Sequence, residues 1–282
     1  MARGLFVGLT VLDVLYRLED EPRPNTKNVV AESGLLAGGP SANAAVTFAA
    51  LGGEARLVTA IGSHPMGTLI RADLEEHGVE VEDRIPKHSG RPAIASVMVS
   101  PNGDRLAAST AAHGLPQPGA ELEFGSPEVL LIDGHLPELQ QHAAVRARAA
   151  GVPVVVDCGS WKPAFELLLP LVDVAICGES FLPPGAQGPG EVFAYLRGAG
   201  VKRRVITRGE RSILVDGEDA VPVAPVQAVD TLGAGDVFHG AFCFYLAEGR
   251  GGFREQLAAS SDVAGAACEG FGTREWIGRW GE

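Results

Sequence analysis

The chain has 282 residues, 46% hydrophobic and 21% charged, enough apolar material for a large core in one α/β domain or two smaller ones. Its formal net charge of −12 argues against a nucleic-acid partner, which would want a basic face, but leaves an anionic small substrate open because a site's local field can differ from the net charge. No apolar run reaches the roughly 18 residues of a membrane helix, and the opening M-A-R-G-L-F-V-G-L-T reads as a buried first strand rather than a signal peptide.

The remaining elements follow in chain order. Residues 4–10 are an apolar run of strand length. Residues 41–51 predict a helix, with Ser41 as a cap and Gly52-Gly53 as the stop. Residues 55–61 predict a strand, 67–77 an amphipathic helix, and 129–132, 152–156, 174–176 and 205–207 further short apolar strands. Helices are predicted over 137–150, 190–198 and 236–248. This β-α-β-α order predicts an α/β fold with a mostly parallel sheet covered by helices on both faces. Two segments, 14–33 and 91–112, break the pattern. The second alternates as A-I-A-S-V-M-V, turns at S-P-N-G-D and continues as R-L-A-A-S-T, the pattern of a hairpin. Both are expected to leave the main sheet and form a small β lid. The tract P-P-G-A-Q-G-P at 183–189 is a loop by composition. Cys158, Cys177, Cys243 and Cys268 form no C-x-x-C pair and read as reduced core thiols of a cytoplasmic protein.

The stretch with the most chemistry is D-T-L-G-A-G-D-V-F-H-G-A-F at residues 230–242. A loop that reaches Gly233-Ala234-Gly235 and then starts a helix leaves unpaired N–H groups at the positive end of the helix dipole, which is an anion site. Glycine lets an anion approach without a Cβ in the way. Asp236 would repel a resting anion there. Its placement makes sense if it removes a proton from a hydroxyl attacking a γ-phosphate while the amides take the developing charge. A helix start with an acidic first turn is an equally open reading of the same residues. Other phosphate binders are disfavoured. There is no G-x-x-x-x-G-K-[ST], and position 238 is Phe where a dinucleotide fingerprint needs its third glycine. The histidines show no metal-ligand spacing.

D-T-L-G-A-G-D at 230–236 resembles the C-terminal signature of the ribokinase-like (PfkB) carbohydrate kinases, and A-G-G-P-S-A-N-A-A at 37–45 resembles their first signature. With V-L-D at 11–13 and V-A-G-A-A-C-E-G-F-G at 263–272, the likeness covers nearly the whole chain. G-L-T-V-L-D and D-V-F-H-G-A look most similar to the ketohexokinase and sulfofructose kinase branches. The resemblance implies a single ribokinase-like domain over 1–282, a three-layer sandwich with a small β lid. It implies ATP as phosphoryl donor with Mg²⁺, K⁺ as a further cation, and a sugar substrate, with a ketose expected. A homodimer through the lid is a further expectation; a membrane partner is not expected.

The same resemblance implies roles residue by residue. Asp236 is the base, and the amides of Gly233, Ala234 and Gly235 hold the transferring phosphoryl group. Asp13, Gly38, Gly39 and Asn43 line the sugar pocket, with Gly38-Gly39 as the lid hinge. Arg105, after the lid turn, and His135, where the nearest branches carry Arg, face the substrate. Thr207, Arg208, Gly209 and Thr231 contact the nucleotide. Glu179 in I-C-G-E-S-F stands where many members carry Asn-x-x-Glu, and Asp230 stands where some hold a monovalent cation, so both are expected at a metal. Two other readings stay open: a nucleoside kinase of the same fold, and a non-catalytic sugar or nucleotide sensor. The expected lid segments contain one aromatic residue, Tyr16, which favours a sugar over a stacked base, and a sensor has no need of Asp236.

Overall fold

The structure is a computed structural model that describes residues 1–101 and 105–280. Twelve strands build two sheets among the described residues. The large sheet contains β1 (Arg3–Val7), β4 (Glu54–Thr59), β5 (Val79–Asp83), β8 (Val129–Ile132), β9 (Val154–Cys158), β10 (Val174–Gly178), β11 (Arg203–Arg208) and β12 (Arg211–Val215). Their spatial order is β12-β11-β10-β9-β8-β1-β4-β5, and every pairing is parallel except β11 with β12.

The central strands β8, β9 and β10 are short apolar runs because both faces are covered. Successive residues alternate between two cores. Leu5, Val7, Leu130, Ile132, Val154 and Val156 pack with α3 (Pro137–Ala150), α4 (Ala164–Leu168) and α5 (Pro189–Gly198). Phe6, Leu57, Val129, Leu131 and Val155 pack on the other side with α1 (Pro40–Ala50), α2 (Pro65–Glu76) and α6 (Ala234–Ala247). α7 (Phe253–Cys268) closes over α6 through Val263 and Ala267, which meet Val237 and Ala241. The four cysteines are buried free thiols. No helix among the described residues is long and apolar enough to cross a membrane.

The small sheet is β3-β2-β6-β7, with β2 (Val11–Leu18), β3 (Val30–Gly38), β6 (Ala93–Val99) and β7 (Arg105–Ser109). β6 and β7 pair antiparallel, as the alternating A-I-A-S-V-M-V requires. The expected turn at S-P-N-G-D includes residues 102–104, which lie outside the described residues. Leu15, Val97 and Val99 form a small core beneath this lid with Leu36, Leu232 and Phe271.

The strands of the lid differ from the segments expected at 14–33. They occupy 11–18 and 30–38, so Asp13 and Gly38 stand on lid strands rather than beside them. The β-branched and apolar residues flanking the polar 19–29 stretch carry the pairing. β5, β12 and α7 had no clear sequence signal. β5 reads V-E-V-E-D, an edge strand with one apolar flank, and α7 is built largely from Ala and Ser, which leave no strong apolar stripe. α6 begins at Ala234, two residues before the expected start at Asp236, because Gly233 supplies the left-handed turn that launches it.

Candidate active site

Close approach between α1 and α6 brings the two expected signatures together. A Cβ on Gly240 would collide with the carbonyl of Ala44, so glycine at 240 lets the two helix backbones approach each other closely. Pro40 occupies the first turn of α1, where its missing N–H costs nothing. Gly39 before it has φ 98°, and a Cβ there would lie 2.5 Å from the Leu9 carbonyl oxygen. At the facing end, Gly233 caps α6 with φ 68° and ψ 5°. A Cβ on Gly233 would sit 2.5 Å from Thr273 Cγ2, so both backbone angle and space call for glycine. The result is one contact between residues 193 apart in sequence: Asn43 Nδ2 donates to Asp236 Oδ2 at 2.8 Å.

Asp236 lies in the first turn of α6, where the Ala234 amide donates to the Thr231 carbonyl at 3.4 Å and, among the described residues, the Gly235 and Asp236 amides have no backbone carbonyl partner. Its carboxyl is pushed up to about 7. Desolvation is the main cause and repulsion from Asp157 adds to it, while Asn43 and His239 pull the other way and Asp13 pushes up again. Asp13, on β2, is 5% exposed. It too is pushed up to about 7, chiefly by desolvation against the pull of Arg274, with Asp73 raising it further. The facing strand makes room for this carboxylate: a Cβ on Gly38 would collide with it. A carboxyl near 7 is still a competent proton acceptor at neutral pH and holds the proton more firmly than an ordinary aspartate, which suits a general base.

The other expected residues divide. Arg105, on lid strand β7, reaches across to the Thr231 carbonyl at 3.0 Å, so the lid touches the loop that launches α6. Thr207 Oγ1 donates to the Cys177 carbonyl at 3.3 Å. Arg208 donates twice to the Ser212 carbonyl, at 3.0 and 2.7 Å, and with Gly209 at φ 60° closes the β11–β12 turn. His135 is half-buried beside Asp133, and its imidazole is held below its ordinary range, mainly by burial and further by Lys162, against the attraction of Asp133 and Asp157. Such a ring is a neutral hydrogen-bonding group rather than the fixed positive charge an arginine would bring.

Glu179 and Asp230, expected at a metal, have other partners. Glu179 is an exposed residue ion-paired with Arg211. Asp230 is buried, and its two oxygens accept from the Leu232 amide at 2.9 Å and the Gly272 amide at 3.0 Å, which ties the 230–233 loop to the C-terminal segment. Among the described residues no group of three or more His, Cys, Asp or Glu side chains is placed to hold a metal ion.

Four residues of the site carried no expectation. Asp157 is the penultimate residue of β9 and is buried. His239 is one turn beyond Asp236, with Nδ1 2.6 Å from the Gly235 carbonyl and 3.4 Å from the Asp157 carboxylate, and Nε2 3.2 Å from the Ile176 carbonyl. Asp73 and Arg274 form an ion pair at 3.0 Å beside Ala37, near the junction of β3 and α1. A carboxylate closing the run V-V-V-D was a usable signal for Asp157, because strand carboxyl ends carry the ligands of open α/β sheets. Arg274 had none, since its neighbours in space come from four distant segments.

The chain matches the pfkB family carbohydrate kinase model over residues 1–277 and belongs to that family. The Bacillus subtilis ribokinase is 23% identical over 257 residues, which cover 86% of this chain and 85% of that one. A solved structure from Agrobacterium tumefaciens superimposes with a TM-score of 0.86 at 27% identity, over 99% of both chains. Arabidopsis thaliana ribokinase, complexed with ribose and ATP, gives a TM-score of 0.74 at 24% identity, over 96% of this chain and 94% of that one. A nucleoside kinase of Methanothermobacter thermautotrophicus and a ketohexokinase of Mus musculus are also relatives. The fold is therefore the ribokinase-like α/β fold with its small lid sheet, and the chain is a carbohydrate kinase of the pfkB family.

Proposed function

We propose that this kinase transfers the γ-phosphoryl group of ATP to a hydroxyl of a neutral pentose, with ribose as the first candidate. The observation that carries this reading is Asp236, a carboxyl pushed up to about 7 at the glycine-capped start of α6. Asp236 removes the proton of the attacking hydroxyl. The amides of the turn from Gly233 through Gly235, at the positive end of α6, stabilise the charge on the transferring phosphoryl group. Asp13, Asn43 and the backbone of Gly38 and Gly39 hold the sugar. Arg105 stands on the lid, and its bond to Thr231 carries the lid toward the anion turn on closure. Closure excludes water from the phosphoryl group and so limits hydrolysis of ATP.

Two further features support a neutral acceptor. Asp13, Asp236 and Asp157 share the pocket, and Asp236 is raised by both of the others, so an anionic sugar would meet like charge. His135 is held toward its neutral form where a phosphate reader would be positive. Ribose replaces the expected ketose because ribokinases stand prominently among the relatives, including one bound to ribose and ATP. A nucleoside would call for an aromatic platform, and Tyr16 is the one aromatic residue on the described lid strands. Thr207, Arg208, Gly209 and Thr231 are assigned to the nucleotide side. The side chains of Glu179 and Asp230 are given no metal, since Arg211 and the Leu232 and Gly272 amides engage them; the monovalent-cation expectation at 230 concerns backbone oxygens and is untouched by those bonds.

The test is ADP release from ATP with Mg²⁺ in the presence of D-ribose, D-fructose, ribose 1-phosphate or adenosine. Ribose or another free pentose should give the highest kcat/KM. Turnover confined to adenosine or to the phosphorylated sugar would overturn the substrate class.

A further inference from the structure

We propose that Arg274 is a positioning residue that fixes the orientation of the Asn43 amide, and through it Asp236, to the position of Ala37 where the lid strand β3 meets α1. The inference rests on the reading of Asp236 as the base. Arg274 is part-buried, and its two terminal nitrogens divide between two tasks. Nη1 donates to Asn43 Oδ1 at 3.0 Å and to Thr273 Oγ1 at 2.7 Å. Nη2 donates to the Ala37 carbonyl at 2.7 Å and to Asp73 Oδ2 at 3.0 Å. Asp73 Oδ2 in turn accepts from the Ala37 amide at 3.1 Å. The Asp73–Arg274 pair therefore grips both backbone polar groups of Ala37, the residue before Gly38-Gly39, where the lid strand β3 ends and α1 begins.

The other half of the guanidinium decides which way Asn43 points. An arginine can only donate, so it must face the amide oxygen of Asn43, and the amide nitrogen then has to face Asp236. Thr273 Oγ1, 3.4 Å from the same oxygen, lies on the same side. Without Arg274, the Asn43 oxygen keeps only the longer Thr273 contact, so the amide is less firmly aimed and its 2.8 Å bond to Asp236 is weakened. Movement of Ala37 as the lid opens would pull on the same guanidinium. The chain Ala37–Arg274–Asn43–Asp236 thus couples hinge position to the base through discrete hydrogen bonds.

The charged and titratable groups around this chain are known. Asp13 on β2, Asp157 on β9 and His239 on α6 act on Asp236, and Asp73 on α2 and Asp13 act on Arg274. A hydrogen bond to the ionised form favours that form, so losing the Asn43 donor must move the Asp236 titration upward.

The experiment is a pH titration of the Asp236 carboxyl by ¹³C NMR in the whole, sugar-free protein, with the signal identified by its loss in Asp236→Asn. In Arg274→Met the midpoint should rise by about one pH unit, the effect of one lost charge-assisted hydrogen bond. Asn43→Ala should move it by a similar amount, and the double variant should move it no further. Arg274→Lys, which keeps the charge but cannot fork, should give a smaller rise. Should Arg274→Met fail to fold, Arg274→Lys and Asn43→Ala still decide. An unmoved Asp236 midpoint in folded Arg274 variants, or additive shifts in the double variant, overturns the proposal. The readout needs no turnover, so it stands apart from whether ribose is the substrate.

Discussion

Asp133 and Asp236 are both aspartates at the cleft end of the fold, and the protein treats them oppositely. Asp133, just past β8, is 1% exposed. It accepts from the Leu9 amide at 2.8 Å, Ser41 Oγ at 2.9 Å, the His135 amide at 3.0 Å and Gln140 Nε2 at 2.7 Å. Burial pushes its carboxyl up, but His135, the Leu9 amide, Lys162 and Gln140 outweigh burial and hold it below its ordinary range. Asp236 has one side-chain donor, Asn43, and like-charged company, and is raised to about 7. The lesson is that burial alone does not mark a reactive carboxyl. A carboxylate whose lone pairs are filled is a structural strut, whereas one left short of donors beside an open anion turn has capacity for a proton.

The largest effect expected from this contrast is on turnover. Asp236→Asn keeps the shape of the side chain but cannot take a proton, so kcat should fall by roughly 10²- to 10⁴-fold with the best sugar. Substantial turnover by a folded Asp236→Asn protein would make Asp236 another strut. Next comes Asp133→Ala, which strips the acceptor from four donors at once. Each buried donor left unpaired costs about 1–3 kcal/mol, so denaturant unfolding should show a loss of at least about 3 kcal/mol. A loss under about 1 kcal/mol would mean that the Asp133 bonds are incidental.

A third difference appears with pH. On the proposed role of Asp236 as base, which must be ionised, kcat/KM should fall as pH drops through about 7, by roughly tenfold per pH unit well below it. Because Asp157 and, more weakly, Asp13 both raise Asp236, the observed midpoint reports that acidic cluster rather than Asp236 alone. A kcat/KM that stays level from pH 5 to 8 would show that neither raised carboxyl is needed.

Only the Asp236 side of this contrast is legible in the sequence; Asp133 carries no signal there. The alternating β and α signals gave a two-faced parallel sheet, and the G-A-G-D turn and the G-G-P-S-A-N run named Gly233, Asp236, Gly39 and Asn43 from local chemistry and resemblance. What sequence could not give was partnership at a distance. Asn43 and Asp236 meet only because Gly240 admits Ala44 at the α1–α6 seam. Arg274 near the chain end reads as one more surface arginine until Ala37, Asn43 and Asp73 are folded around it. Glu179 was expected at a metal because it stands where the resembling family carries Asn-x-x-Glu; its ion pair with Arg211 on β12, a strand with no signal of its own, was not legible. Lid bounds failed for a related reason: pairing with β6 and β3, rather than helix-poor composition, decides where β2 starts.

The most direct test of the central claim compares the unfolding free energies of Asp133→Asn and Asp236→Asn with wild type at pH 8. Asp133 has a lowered folded-state value, so its carboxylate adds stability above the unfolded value and loses it as pH falls through the folded one. Asp236 has a raised value, so its favourable contribution exists below the unfolded value of 3.8 and is lost as pH rises through about 7. At pH 8 the neutral amide should therefore destabilise the protein at position 133 and leave it as stable as wild type or more so at position 236. A comparable loss of stability in both variants would contradict the account, because Asp236 would then be held by the fold for the fold's own sake.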